Sequence, residues 1–316
     1  MSLALLFPGQ GSQSVGMGRA LADAHPVAAA TFAEADRILG DSLSTLMWGG
    51  PEDDLVLTQN AQPALLTHSV AVLRVVQDRL GEVAMAAGHS LGEFSAHVAA
   101  GTLSFPDALR AVRLRGELMA SAGALRPGGM AAVLGMEDDA VEALCREVAT
   151  ASGATVVPAN FNSPGQVVIS GDRSAVAKAV ELGPERGAKK VVLLNVSGAF
   201  HSPLMEPAER GLREWLDAVN FGRLRYPVYS NVTAEPVLEE EARGLLVRQL
   251  ISPVRWASSI RAMVGAGADR FLEIGPGEVL AGLNRRNARG VPTLSVGEPE
   301  DVDALDVDAL GDRGGT

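Results

Sequence analysis

Residues 83–100 constrain this chain more than any others. An apolar run, Val83 to Ala87, stops at Gly88-His89-Ser90-Leu91-Gly92 and gives way to a second apolar-rich stretch from Leu91 to about Ala100. The first run is short and bounded by glycine, so it reads as a buried strand; the stretch after the turn reads as a helix. A buried strand that turns directly into a helix needs neighbouring strands beside it and helices over its faces, which points to a layered α/β arrangement with a mainly parallel sheet. The N-terminal segment repeats the pattern, with Leu3 to Phe7 ending in Pro8-Gly9-Gln10-Gly11. Between the two, a helix is predicted over about Pro63 to Leu80, where Leu65, Val72, Val76 and Leu80 form one stripe and Leu66, Val70 and Leu73 widen it.

The pattern changes between about Gly128 and Val196. Strands are predicted at Met130–Leu134, Thr155–Asn160, Gln166–Ser170 and Lys189–Asn195, with helices at Asp138–Thr150 and Arg173–Leu182. That β-α-β-β-α-β order is the split βαβ of ferredoxin-like domains. Helices near Pro203–Val219 and Glu239–Leu250 follow, and apolar runs at Val228–Val232, Phe271–Ile274 and Thr293–Val296 can return to the first sheet. The expected organisation is a large α/β-hydrolase-like domain built from residues 1–127 and 197–297, interrupted by a ferredoxin-like small domain at 128–196. Residues 298–316 form an acidic tail, expected to be mobile.

Composition narrows the function. The net charge is −11. From Glu298 onward seven acidic residues face only Arg313, a net of −6, which leaves −5 for the body. No basic stripe marks a nucleic-acid footprint. The five apolar residues at the start are too few for a signal-peptide core or a membrane span. Cys145 is the only cysteine, so no intrachain disulfide can form and a reducing compartment is the simpler reading. A cytoplasmic enzyme acting as a monomer is expected, with no membrane and no nucleic-acid partner.

Gly88–Gly92 fits G-x-S-x-G, and its strand–turn–helix setting is the one that exposes a nucleophilic serine hydroxyl near a helix N-terminus, with flanking glycines that tolerate a strained backbone. Helix-end N–H groups can then stabilise an oxyanion. Such a serine needs a base, and the chain has five histidines. His25 precedes a proline at a helix end, and His68 lies within an apolar helix. His89 adjoins the serine and should point away, and His97 lies seven residues along the departing helix, about 10 Å away. His201 remains, between a predicted strand and the next helix and after the serine in chain order. No Asp or Glu occupies an obvious third position; a backbone carbonyl or an amide can orient the ring instead.

Beyond these two residues, Phe7-Pro8-Gly9-Gln10-Gly11-Ser12-Gln13, the continuation Glu93-Phe94-Ser95-Ala96, Asn160–Gln166, Gln249 before Ser252-Pro253-Val254-Arg255-Trp256, and Glu273–Gly277 occur in order along residues 3 to 280. Together they resemble the malonyl-CoA:acyl-carrier-protein transacylases, and a start at the first residues fits the free-standing type. The resemblance implies malonyl-CoA and acyl carrier protein as partners, an acyl group carried on Ser90, and His201 as general base and acid. It further implies an oxyanion hole from the backbone N–H groups of Gln10 and Leu91, and a His201 ring held by the backbone carbonyl of Gln249. Arg115 would receive the malonyl carboxylate, a role suited to the paired donors of a guanidinium. Asn162 would line the active-site mouth. Phe200 would crowd an α-methyl group and favour malonyl over methylmalonyl. No metal, redox group or other cofactor is implied, and no Walker or dinucleotide glycine motif is present. Two rival readings share these residues: a serine hydrolase, which has no use for Arg115, and a non-catalytic carrier-binding module.

Overall fold

A computed structural model describes residues 2–306. In chain order its elements are β1 (Leu3–Phe7), α1 (Arg19–Ala24), α2 (Pro26–Leu39), α3 (Leu43–Gly49), α4 (Glu52–Leu55), α5 (Thr58–Val76), β2 (Val83–Gly88), α6 (Gly92–Ala100) and α7 (Phe105–Leu125). Then come β3 (Gly128–Leu134), α8 (Asp138–Ser152), β4 (Val156–Ser163), β5 (Gln166–Asp172), α9 (Arg173–Leu182), β6 (Lys190–Leu193) and α10 (Glu206–Asp217). The chain continues through β7 (Val228–Tyr229), α11 (Ala242–Arg248), α12 (Trp256–Gly265), β8 (Arg270–Ile274), α13 (Val279–Asn287), β9 (Thr293–Val296) and α14 (Pro299–Ala304).

Five strands form one sheet in the order β7-β2-β1-β8-β9, and every pairing in it is parallel. β1 lies at its centre and is buried along its whole length, which is why Leu3–Phe7 reads as an unbroken apolar run rather than an alternating one. The second sheet, β4-β5-β3-β6, is antiparallel. Val254, just before α12, is bridged to β4 of this second sheet: it donates its N–H to Ala159 O (2.8 Å) and accepts from Phe161 N (2.9 Å). The protein is therefore an α/β fold with a mainly parallel sheet and a separate antiparallel one.

Two expectations change. The helix predicted from Pro63 begins at Thr58, with Pro63 inside it, and ends at Val76. A proline so near the helix start forfeits one intrahelical bond, a cost the fully buried helix around it absorbs. The acidic segment from Glu298 is ordered through Asp306: α14 has a capping box between Glu298 and Asp301, and Val302 and Leu305 join the core beside β9. Arg79 donates to Val302 O at 2.5 Å and so ties this helix to the turn that follows α5. Two apolar side chains at the right spacing suffice to dock a segment whose charges face outward. Residues 307–316 of the expected mobile tail lie outside the described residues.

Candidate active site

In a parallel sheet, loops at the carboxyl ends of adjacent strands converge, and ligands bind there. Here β1 delivers Gln10, β2 delivers Ser90 and β7 delivers Asn231 to one such end. The β2–α6 turn is tight: His89 N donates to Phe7 O (3.0 Å) and Gly92 N to His89 O (2.9 Å). Ser90 carries φ 53°, a left-handed conformation costly for any residue but glycine. The flanking glycines serve a different purpose from the one expected, since neither has positive φ. A Cβ on Gly88 would lie 1.9 Å from the Gly92 carbonyl, and one on Gly92 would lie 2.2 Å from Phe7 O. They permit backbone to pack on backbone, while the strain falls on the serine itself.

Ser90 Oγ lies 2.8 Å from His201 Nε2. His201 Nδ1 lies 2.9 Å from Gln249 O, so the ring proton belongs on Nδ1 and Nε2 is free to accept from the serine. His201 also has positive φ, 56°, so both partners are held in strained backbone. Burial, then the Arg115 charge, pull the imidazole down to about 3, and it is neutral at any ordinary pH.

Arg115 projects from α7 and is 1% exposed. Its Nη1 donates to Gln62 Oε1 (2.6 Å), and its Nη2 to Gln249 Oε1 (2.9 Å) and Ser90 Oγ (3.1 Å). Burial lowers it to about 10, against the raising effect of Glu93. Glu93, on the first turn of α6, is fully buried. Its Oε2 accepts from Gln249 Nε2 (2.6 Å) and Asn231 N (3.1 Å), while burial pushes its carboxyl up to about 7. Asn231 completes the frame by accepting from Ser90 N (2.7 Å) and donating to Gly88 O (2.8 Å). Gln249 Nε2 donates to Ser90 O as well (3.0 Å).

Ser90, His201 and Arg115 face a cavity of about 410 Å³, lined also by Gln10, Leu91 and Phe200 and by Met130, Asn160 and Leu194–Val196 from the segment of the antiparallel sheet. Among the described residues, no hydrogen bond occupies the N–H of Gln10 or of Leu91. Asn162 accepts from Nε2 of His89, a lining residue, at 2.8 Å, and Asn160 lines the cavity directly. The irregular register of β4 between Phe161 and Ser163 separates the roles of the two asparagines. Among the described residues, no group of three or more His, Cys, Asp or Glu could hold a metal ion, and no helix is long and apolar enough to cross a membrane.

Sequence reading missed Glu93, Asn231 and Gln62. One signal was available for Glu93, a lone carboxylate three residues after the serine in an otherwise apolar helix; Asn231 and Gln62 carry none.

A strained serine hydrogen-bonded to a carbonyl-held imidazole, with open N–H groups beside it, is the arrangement that acyl transfer through a serine requires. The acyl transferase domain family matches residues 4–297. The malonyl CoA-acyl carrier protein transacylase of Bacillus subtilis is 47% identical over 302 residues, 95% of each chain. Its namesake from Escherichia coli K12 is 44% identical, covering 94% of this chain and 96% of its own. Among solved structures, an acyl carrier protein S-malonyltransferase from Vibrio cholerae superposes with a TM-score of 0.92 at 43% identity, over 97% of this chain and 100% of that one. A malonyl-transacylase bound to a type II polyketide-synthase acyl-carrier protein matches with a TM-score of 0.92 at 42% identity, covering 96% and 98%. The chain belongs to the acyltransferase family that these malonyl CoA-acyl carrier protein transacylases represent, and it is an enzyme of that kind.

Proposed function

We propose that this enzyme moves a malonyl group from malonyl-CoA to the phosphopantetheine thiol of an acyl carrier protein by way of a malonyl-serine at Ser90. The observation that carries this reading is the position of Arg115. A buried guanidinium within 3.1 Å of the nucleophile gives a carboxylated acyl group a partner that an uncharged one cannot use.

In the first half-reaction the Ser90 hydroxyl proton passes to His201 Nε2 as Oγ bonds to the thioester carbon. The carbonyl oxygen takes the negative charge and is met by the N–H groups of Gln10 and Leu91. The C–S bond then breaks, and His201 returns the proton to the departing CoA sulfur. In the second half His201 takes the proton of the pantetheine thiol, the sulfur attacks the acyl carbon, and Ser90 leaves with the proton restored. Gln249 holds the imidazole through its carbonyl and Arg115 through its side chain. The Arg115 charge weakens His201 as a base. A malonyl carboxylate bound to that guanidinium offsets the charge and makes the base stronger when substrate is present. Phe200, 6% exposed beside His201, would press on an α-methyl substituent, a preference worth about 1–3 kcal/mol. Bonds and protons balance among Ser90, His201 and the two thiols, so the route calls for no cofactor.

We read residues 1–127 with 197–297 as an α/β-hydrolase-like unit and 128–196 as a ferredoxin-like insert. The β4-β5-β3-β6 strand order and the cavity, which takes lining from both, support that division. The test is malonyl transfer to phosphopantetheinylated carrier protein, followed by carrier mass. Transfer by the wild type and its loss in Ser90→Ala are expected; CoA release into water at the same rate without carrier would point to a hydrolase.

A further inference from the structure

Thr58 opens α5 and is 1% exposed, yet its hydroxyl is engaged on both sides. It accepts from Gln62 Nε2 at 2.8 Å and lies 3.0 Å from Gln10 Oε1, to which it donates. Gln62, one turn further along and fully buried, accepts in turn from Arg115 Nη1 at 2.6 Å. Three hydrogen bonds therefore run in one direction, from guanidinium to Gln62 to Thr58 to Gln10. Each intermediate group both accepts and donates, so each bond polarises the next. The chain begins at the group that would hold the acyl carboxylate and ends at the residue whose N–H would receive the oxyanion.

The far end matters because the Gln10 loop, although Gly9 packs on the His89 backbone, has few hydrogen bonds to hold Gln10 itself. Gln10 and Gly11 are exposed, and Gly11 N bonds within the loop to Gln13. Among the described residues, the bond from Thr58 is the only hydrogen bond that ties residues 9–13 to another element. An oxyanion donor is effective only if it is fixed before charge develops, and a loop N–H is fixed only as firmly as its loop. The near end is rigid. At Gly116 a Cβ would lie 2.5 Å from Gln59 Cα and 2.7 Å from Thr58 O, so α7 carries Arg115 against the first turn of α5 by direct backbone contact. Neither Thr58 nor Gln62 lines the cavity, so neither can act by touching substrate.

We propose that Thr58, acting with Gln62, is a positioning residue that couples capture of the acyl carboxylate at Arg115 to placement of the Gln10 N–H. A carboxylate on Arg115 changes how the guanidinium holds Gln62, and the change reaches Gln10 through Thr58. Carboxylated acyl groups then react faster as well as binding better. This rests on the malonyl-transfer reading above.

The test compares acylation by malonyl-CoA and acetyl-CoA in wild type, Thr58→Val and Thr58→Ser, with thermal stability measured alongside. Thr58→Val keeps the shape and removes the hydroxyl; on malonyl-CoA its kcat should fall on the order of tenfold, with KM little changed. Acetyl-CoA, which leaves Arg115 unengaged, should lose less than about threefold. Thr58→Ser should restore malonyl turnover, and Thr58→Val placed on Arg115→Ala should cost clearly less than it does on wild type, the non-additive result of a shared path. Gln62→Met, which cuts the next link at similar volume, should show the same selectivity if Thr58→Val fails to fold. Equal losses on the two substrates, or additive effects in the double mutant, would overturn the coupling. A wild type that transfers no malonyl group would instead overturn the functional reading.

Discussion

Replacing Arg115 separates a malonyl enzyme from a generic acyl-serine enzyme, and the structure allows the size of the effect to be worked out. The guanidinium is 1% exposed and donates to two glutamine oxygens and the nucleophile. A malonyl carboxylate reaching this pocket exchanges water for that cation. Without it, a charge would be left unpaired in a largely dry site, at a cost of about 3–5 kcal/mol. Arg115→Ala should therefore lower kcat/KM for malonyl-CoA by roughly 150- to 5,000-fold. Acetyl-CoA presents no carboxylate, so it feels only the unpaired Gln62 and Gln249 oxygens. Those acceptors weaken the free enzyme and its transition state alike, and the loss on acetyl-CoA should stay within about tenfold. Arg115→Lys should recover part of the malonyl rate, because one ammonium cannot span both glutamines as the planar fork does. The assay is kcat/KM on both thioesters, normalised to folded protein by thermal unfolding. Equal losses on malonyl-CoA and acetyl-CoA would show that Arg115 supports the fold and does not read the carboxylate.

Gly92→Ala should prevent folding or sharply cut soluble yield, because its Cβ would press on Phe7 O at the carboxyl end of the central strand; normal yield and melting temperature would contradict the close-packing explanation. Asn231→Ala should cost about 1–3 kcal/mol of stability and slow acylation, since Ser90 N and Gly88 O each lose a buried partner; unaltered unfolding in urea would show that the turn holds itself. His97 is buried with neither ring nitrogen partnered among the described residues, and burial pulls it down to about 4. Below pH 6.5 the unfolded chain takes up a proton there that the folded chain refuses, so stability is lost as pH falls toward 4. His97→Leu should therefore lose less stability than wild type between pH 7 and pH 5, by about 2 kcal/mol, whatever its absolute stability. An identical pH slope in the two proteins would show that His97 titrates normally.

The sheet-forming runs, the β2–α6 turn and Ser90 were legible because each is a local pattern of a few adjacent residues. His201 was reached by elimination and chain order, and its distance from Ser90 in sequence left no local signal. Asn231 was not legible: it holds a turn 141 positions away through its amide, and nothing around it marks that task. Thr58 and Gln62 precede the helix predicted from Pro63 and drew no reading, and their meaning lies in a helix-on-helix contact at Gly116. The purpose of Gly88 and Gly92 was misread because a motif shows where glycine is required but not whether torsion or close approach requires it. α14 was missed because its acidic composition outweighed Val302 and Leu305, the two side chains that decide where it packs.

Intact mass after brief exposure to malonyl-CoA bears most directly on the acyl-serine route. Wild type should gain one malonyl group, located on the peptide containing Ser90, and addition of phosphopantetheinylated carrier protein should remove it. Ser90→Ala should gain none. An adduct on any other residue, or transfer that persists in Ser90→Ala, would contradict a malonyl-serine intermediate at this site.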